Sequence, residues 1–178
     1  MKKRKNKKPS ECQIDILGSY AIFLEHALEE IGINLSESGI MEITDEKFNV
    51  VSDHLGNELL MPSRRIITID HLDGFLENPS DDVDIVYSQL PFVNSKLLIK
   101  KLSLVPAMTN AVALLGTYGY KKDFKFQERD YRYLNKFSEA LVRNGFEYEH
   151  MSKQTSIEHF DLIVSRNKFK ILERNYRC

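Results

Sequence analysis

The sequence predicts an α/β fold, because short β-branched runs alternate with longer stretches of helical periodicity along most of the chain. This strand-helix alternation occurs four or five times before residue 145. The last two predicted strands are separated by only eight residues without a helical pattern, which predicts an antiparallel pair. The chain is therefore expected to form a mostly parallel sheet that ends in an antiparallel hairpin.

The N-terminal third is predicted to contain two strands and one helix. Residues 14–18 form a short apolar run typical of a strand, and residues 19–31 have apolar positions at helical spacing. Gly32 would end that helix, and residues 39–43 read as a second strand. The pattern of residues 45–60 fits either helix or strand, and helix is favoured.

The middle of the chain contains the clearest strands. Four of the six residues in 65–70 are β-branched, and residues 82–88 form an apolar run after two acids. A helix over residues 95–104 must end before Pro106, because the residue before a proline disfavours helix. Residues 111–116 are continuously apolar, which predicts a buried central strand.

The C-terminal part is predicted to contain one long helix and the closing hairpin. Residues 128–143 have apolar positions at helical spacing and are followed by Asn144 and Gly145, a common helix stop. Residues 146–151 and 160–165 are the two antiparallel strands.

Composition and charge favour a single domain over residues 10–178, preceded by a basic arm. The arm, residues 1–9, holds six Lys or Arg side chains, while the whole 178-residue chain has a net charge of −1. The arm would bind a phosphate backbone at low salt, or serve as a disordered solubilising tail. Cys12 and Cys178 lack any metal-binding spacing. An intracellular, cytoplasmic location follows, with the nucleus as the eukaryotic alternative.

The sequence lacks the residue patterns of several kinds of catalytic or binding site. The five histidines form no HExxH or similar spacing, so we expect no metal site. Ser19 lacks the second glycine of a nucleophile elbow, and no GxxxxGK[ST] phosphate loop occurs.

Two strand ends are candidates for a binding site, because loops at the carboxyl ends of parallel strands line the crevice where ligands bind. The fourth predicted strand ends in a turn of residues 88–92, in which Ser88, Pro91 and Phe92 are the candidate reacting or acceptor-binding residues. Residues 116–122 combine two glycines, two tyrosines and two lysines. They would stack on a nucleobase, or pack their rings on the sheet edge.

The order of elements resembles the class I S-adenosylmethionine-dependent methyltransferase fold. That fold is a Rossmann-like, mostly parallel seven-stranded sheet with helices on both faces and an antiparallel C-terminal hairpin. The resemblance covers residues 14–166. It implies S-adenosylmethionine as the cofactor, bound at the carboxyl ends of the strands.

The resemblance also implies cofactor-binding residues. In the family a glycine-rich loop follows the first strand, and here Asp15 and Gly18 stand at that place. Glu42 would be the acid that binds the cofactor ribose after the second strand, and Asp70 the acid facing the adenine after the third. The turn with Ser88, Pro91 and Phe92 matches the polar-Pro-aromatic turn of the family in part, with one residue more and one proline fewer.

The sequence predicts two alternative functions and, less strongly, a third. The first is a methyltransferase-like protein with an unidentified acceptor, nucleic acid among the candidates. The second is a catalytically inactive domain of the same fold that binds a protein or nucleic acid, since Gly18 is alone where the family has two or three glycines. An unrelated α/β binding domain is the third. The oligomeric state and the acceptor are left open.

Overall fold

The computed structural model of the chain describes residues 11–45, 63–90, 92, 94–120 and 124–166. Within these ranges six strands and five helices alternate along the chain. The predicted arm at residues 1–9 and residues 46–60 of the ambiguous segment lie outside them. The strands are β1 (Ile40–Ile43), β2 (Arg64–Ile67), β3 (Ile85–Leu90), β4 (Val112–Tyr120), β5 (Glu149–Gln154) and β6 (Glu158–Ser165). The helices are α1 (Glu11–Glu30), α2 (Leu72–Glu77), α3 (Ser95–Leu102), α4 (Val105–Met108) and α5 (Phe124–Arg143).

One mixed sheet contains all six described strands, in the order β2-β1-β3-β4-β6-β5. The first four strands in this order are parallel, and β6 lies antiparallel between β4 and β5. The prediction of an α/β fold with a C-terminal antiparallel hairpin is therefore confirmed. The described sheet has six strands and not the predicted seven, and the strand that differs is the first, residues 14–18.

Residues 14–18 lie inside helix α1, so the strand predicted there is wrong. The two isoleucines suggested a strand, but the apolar positions continue at intervals of three and four residues far beyond Gly18. They form the stripe Ile14, Leu17, Ala21, Leu24 and Leu28, which is a helical period. Gly32 ends the helical region with φ of 77°, as predicted. Among the helices of the described ranges, none is both long and apolar enough to span a membrane.

Strand β4 is longer than its apolar run predicted. It continues through Gly116 to Tyr120, because it pairs with β3 on one side and with the eight-residue β6 on the other. The interpretation of residues 116–120 as a loop is therefore wrong. Gly116 and Thr117 pair on both sides, and Tyr118 to Tyr120 pair with β6, which the local sequence cannot reveal. Lys121 and Lys122 lie outside the described residues.

The sheet separates two hydrophobic layers, so helices cover both faces as predicted. Helix α1 packs on one face, and the aliphatic residues of α2 to α5 pack on the other. We call these the α1 layer and the α3/α5 layer. Helix α5 packs into the α3/α5 layer through Leu134, Phe137 and Leu141, as its apolar periodicity predicted.

Candidate functional site

The carboxyl ends of the four parallel strands lie along one edge of the sheet, which we call the carboxyl rim. It comprises residues 44–45 after β1, 68–71 after β2, 89–90 and 92 at the end of β3, and 118–120 of β4. Strand β6 begins at the same edge, because Gly119 pairs with His159. In open α/β sheets this is the edge where ligands bind.

Glu42 lies in β1, the second strand from the β2 edge of the sheet, and is fully buried. Its neighbours in register are Ile66 of β2 and Tyr87 of β3, and it shares the α1 layer with Tyr87. A carboxylate in this position is enclosed by the sheet and does not line the rim. The exposed acid after β1 is Asp45, while Thr44 donates its backbone N–H to the Ile67 carbonyl at 3.0 Å.

Ser88 and Phe92 hold the end of β3 in place from within the molecule. The Ser88 hydroxyl is buried and donates to the Ile43 carbonyl oxygen at 2.8 Å, which links β3 to the end of β1. Phe92 is buried in the α3/α5 layer, and its carbonyl accepts a hydrogen bond from the Ser95 hydroxyl at 2.6 Å. Pro91 lies outside the described residues.

Asp70 is exposed at the rim, in a short 3-10 turn (Ile69–His71) that follows β2. Lys101 of helix α3 holds this turn in place. The Lys101 ammonium donates to the Ile69 carbonyl at 3.2 Å and to Asp73 Oδ2 at 2.7 Å. These contacts fix the backbone of the turn that carries Asp70, whose side chain is exposed to solvent.

Three polar side chains connect β3 and β4 on the α1 face: Gln89 and Tyr118, which lie in the two candidate stretches 88–92 and 116–122, and Tyr87, which the sequence interpretation missed. The Tyr87 hydroxyl donates to Gln89 Oε1 at 3.2 Å, and Gln89 Nε2 donates to the Tyr118 hydroxyl at 3.4 Å. Gln89 and Tyr118 are half-buried, so this chain runs from the core to the rim. Burial raises the pKa of Tyr87 and of the neighbouring Tyr20, which keeps both phenols protonated. The sequence signal that could have revealed this chain of side chains was their placement at alternate positions along β3 and β4.

A second polar group lies on the opposite face, under α5. The buried Asp161 carboxylate accepts a hydrogen bond from the Tyr131 hydroxyl at 2.7 Å and lies 3.0 Å from His150 Nε2. Asp130, also buried, accepts from the Thr117 hydroxyl at 3.3 Å, and burial raises its pKa. These contacts fix α5 on the C-terminal half of the sheet. No trio of His, Cys, Asp or Glu in the described ranges converges as metal ligands would.

The predicted site residues are therefore only partly brought together. Glu42 and Ser88 lie on adjacent strands but in opposite layers of the core. Asp15 and Gly18 lie within α1, so the glycine turn predicted there is wrong. Of the predicted residues in the described ranges, Asp70 is the one exposed at the rim.

The fold also shows where a cofactor loop would begin. The first strand is β1, and the resemblance expects a glycine-rich loop directly after it. Residues 44–55, which follow β1 in the sequence, contain no glycine. The rim therefore has exposed carboxylates, Asp45 and Asp70, but residues 44–55 lack the glycine that lets a backbone approach a ligand closely.

Solved structures with a similar fold are methyltransferases. The CurJ carbon methyltransferase aligns with a TM-score of 0.52 at 11% identity, covering 89% of this chain and 56% of that enzyme. Fibrillarin from Aeropyrum pernix, crystallised with S-adenosyl-L-methionine, gives a TM-score of 0.47 at 7% identity and coverages of 83% and 76%. Precorrin-6y C5,15-methyltransferase from Geobacter metallireducens gives a TM-score of 0.41 at 15% identity, with 92% of each chain covered.

Neither a family model nor a curated protein matches the sequence. The chain spans little more than half the length of the CurJ enzyme. The structural likeness, together with the sheet order and the antiparallel hairpin, is a likeness of fold. The protein has a Rossmann-like fold of the class I S-adenosylmethionine-dependent methyltransferase type.

Proposed function

We propose that this chain is an S-adenosylmethionine-dependent methyltransferase-like protein whose ligand lies along the carboxyl rim. One observation supports this most directly: exposed carboxylates, Asp45 and Asp70, follow the neighbouring parallel strands β1 and β2. In Rossmann-type folds an acid near these strand ends accepts hydrogen bonds from the ribose hydroxyls of the cofactor. Asp70 would hold the adenosine half of the ligand, and Asp45 would lie closer to its centre.

The acceptor would lie beside the ends of β3 and β4. Gln89 and Tyr118 reach the rim there, and their hydrogen bond restricts both side chains. When bound, S-adenosylmethionine supplies an electrophilic methyl group. The chain itself would orient the acceptor, with proximity as the main contribution to rate. Ser88 and Phe92 would act indirectly by fixing the end of β3, and Pro91 stays a predicted acceptor contact.

A second candidate is a non-catalytic domain of the same fold that binds a protein or nucleic acid. The glycine-free sequence of residues 44–55 favours it, because a Cβ at every position keeps the backbone away from a ligand. On this proposal the rim would bind an adenosine-like group, or none, without transferring a methyl group.

Calorimetry with S-adenosylmethionine, S-adenosylhomocysteine and adenosine separates the two candidates. The first candidate expects both methionine-bearing ligands to bind more tightly than adenosine and to stabilise the fold as their concentration rises. Asp70→Asn should weaken binding about 10- to 100-fold, since a hydrogen bond to a charged group contributes about 1.5–3 kcal/mol. Asp81→Asn is the matched control, because Asp81 is exposed just before β3, at the opposite edge.

Each outcome decides between the candidates. Equal affinity for adenosine and S-adenosylmethionine would favour the non-catalytic domain. No heat with any of the three ligands at millimolar concentration would overturn the methyltransferase proposal. Equal losses in Asp70→Asn and Asp81→Asn would remove Asp70 from the site.

A further inference from the structure

Helix α5 presents a row of basic side chains to solvent. Arg129, Arg132, Lys136 and Arg143 are all exposed and follow one another at intervals of three, four and seven residues. Residues spaced in this way lie on one side of a helix. The opposite side of α5 packs into the core through Leu134, Phe137 and Leu141. The row is therefore a basic stripe along one side of the helix, interrupted between Lys136 and Arg143 by the exposed Glu139.

Helix α3 extends this stripe sideways. Its sequence contains three lysines and no acid, and Lys96 and Lys100 are exposed. The two helices are neighbours, since Asn144 Nδ2 at the end of α5 donates to the Ser103 carbonyl at the end of α3 at 3.2 Å. We define the basic helix face as Lys96, Lys100, Arg129, Arg132, Lys136 and Arg143.

Few acids balance this face. The exposed acids of α3 and α5 are Glu128 and Glu139, against the six bases. Arg129 lies 3.4 Å from the buried Asp130, so one of the six is partly neutralised. By contrast α1 has five acids and neither Lys nor Arg. A chain with a net charge of −1 thus concentrates positive charge on one side of its sheet.

The helix dipole alone does not account for all of these positions. Bases in the last turn of a helix interact favourably with its dipole, which explains Lys100 and Arg143. Arg132 and Lys136 lie outside the last turn of α5. Lys96 lies in the first turn of α3, where the dipole is unfavourable to a cation.

We propose that the basic helix face binds the phosphodiester backbone of a nucleic acid. Charge complementarity supports this partner, because several exposed cations in a row match a linear polyanion whose charges repeat along its length. The contacts would position the strand without reading its sequence. Both helices begin at the carboxyl rim, since α3 follows β3 and α5 follows β4. A strand on this face would therefore run toward the rim. The proposal holds whether or not S-adenosylmethionine binds.

Fluorescence anisotropy on the full-length chain tests the proposal. The probes are a labelled 20-nucleotide single-stranded RNA and a 20-base-pair DNA duplex, titrated between 50 and 200 mM KCl, which also shows which strand form is preferred. The variant Arg132→Gln/Lys136→Gln should lose about tenfold or more in affinity at 50 mM salt. Its salt slope should fall by about 1.4 for RNA or about 1.8 for DNA, since one phosphate contact contributes about 0.7 or 0.9.

A matched control removes the same charge elsewhere. Arg64 and Lys153 are exposed on the two edge strands β2 and β5, so Arg64→Gln/Lys153→Gln should leave affinity and salt slope close to the unchanged protein. The N-terminal basic arm is intact in both variants. Urea unfolding should agree within about 1 kcal/mol for all three proteins, because the substituted side chains are exposed and the Lys136 ammonium, 5.6 Å from the centre of the Tyr133 ring, contributes about 0.5–1 kcal/mol there.

Three results would overturn the proposal. They are no binding of either probe at 50 mM salt, equal losses in the two double variants, and unchanged binding in Arg132→Gln/Lys136→Gln. Competition by polyglutamate as strong as by RNA would assign the face to an acidic protein partner instead.

Discussion

The two helix layers of this protein differ although one sheet supports both. The α1 layer is built around aromatic rings, with the Tyr20 ring 5.1 Å from that of Tyr118 and 5.7 Å from that of Phe160. The α3/α5 layer is mostly aliphatic, with Leu, Ile or Val from β1, β3, β4, β6 and helices α2 to α5. Alternate residues of one strand serve the two layers, as Val86 and Tyr87 do in β3. Because neighbouring side chains of a strand point to opposite faces of the sheet, one strand contributes different residue types to the two layers.

Truncating one large ring in each layer gives the largest expected effect. Phe137 in the α3/α5 layer and Phe160 in the α1 layer are both almost fully buried. Phe137→Ala should lower the free energy of unfolding by about 3–5 kcal/mol. Phe160→Ala should cost at least as much, because it also removes ring contacts to Tyr20 and Phe23 worth roughly 0.5–1.5 kcal/mol each. Urea unfolding measures both, and a much smaller cost for Phe160→Ala would refute the aromatic character of the α1 layer.

The next largest effect on stability is expected where Gly116 lies close to Tyr20 in the α1 layer. A Cβ at Gly116 would collide with the Tyr20 hydroxyl, whereas a Cβ at Gly18 in α1 would meet no atom within 4 Å. Gly116→Ala should therefore destabilise by about 1–3 kcal/mol. Gly18→Ala, its control, should stabilise by up to about 1 kcal/mol because alanine favours helix. Thermal unfolding checks both signs, and adding Tyr20→Phe should recover part of the Gly116→Ala loss.

The pH dependence of stability gives the smallest effects, and tyrosines with a pKa raised by burial lie in both layers: Tyr20 and Tyr87 in the α1 layer, and Tyr131, which packs against the α3/α5 layer. Burial raises the pKa of Tyr20 and Tyr87 in the α1 layer. Their contribution is complete below the ordinary tyrosine pKa near 10 and is lost as the pH rises above it. At pH 10.5 the loss should be under about 1 kcal/mol per residue. Tyr20→Phe should reduce this alkaline loss, as urea unfolding at pH 7 and 10.5 would show.

In the α3/α5 layer the same reasoning applies to a carboxyl group. Burial raises the pKa of Asp130, so the folded state binds its proton more tightly than the unfolded chain. Its contribution to stability is largest below the ordinary Asp pKa and falls as the pH rises through the raised value. Asp130→Asn should remove that fall, measured as the difference from the unchanged protein between pH 3 and 6. An identical pH profile in both proteins would contradict the buried carboxyl group.

Local patterns in the sequence determined most of the fold. Helix α5 and its glycine stop follow from apolar spacing, and β1, β2 and β6 follow from short runs with β-branched residues, whereas β5 lies three residues beyond the predicted 146–151. These features are encoded by near neighbours in the chain, so a window of sequence reveals them. The α/β class and the antiparallel hairpin were predictable for the same reason.

Tertiary structure decided the length of β4 and the candidate site, whereas the helical stripe in the sequence assigns residues 14–18 to α1. A run such as residues 14–18 is short enough for either conformation, and its place in a longer helical stripe decided for α1. Pairing with β6 extended β4 through Gly116, and long-range packing buried Glu42 and Ser88 in opposite layers. The sequence by itself determined which elements form. Which acids stay exposed at the rim, and that six bases share one face, depended on how those elements pack, because burial is a property of distant neighbours and not of local spacing.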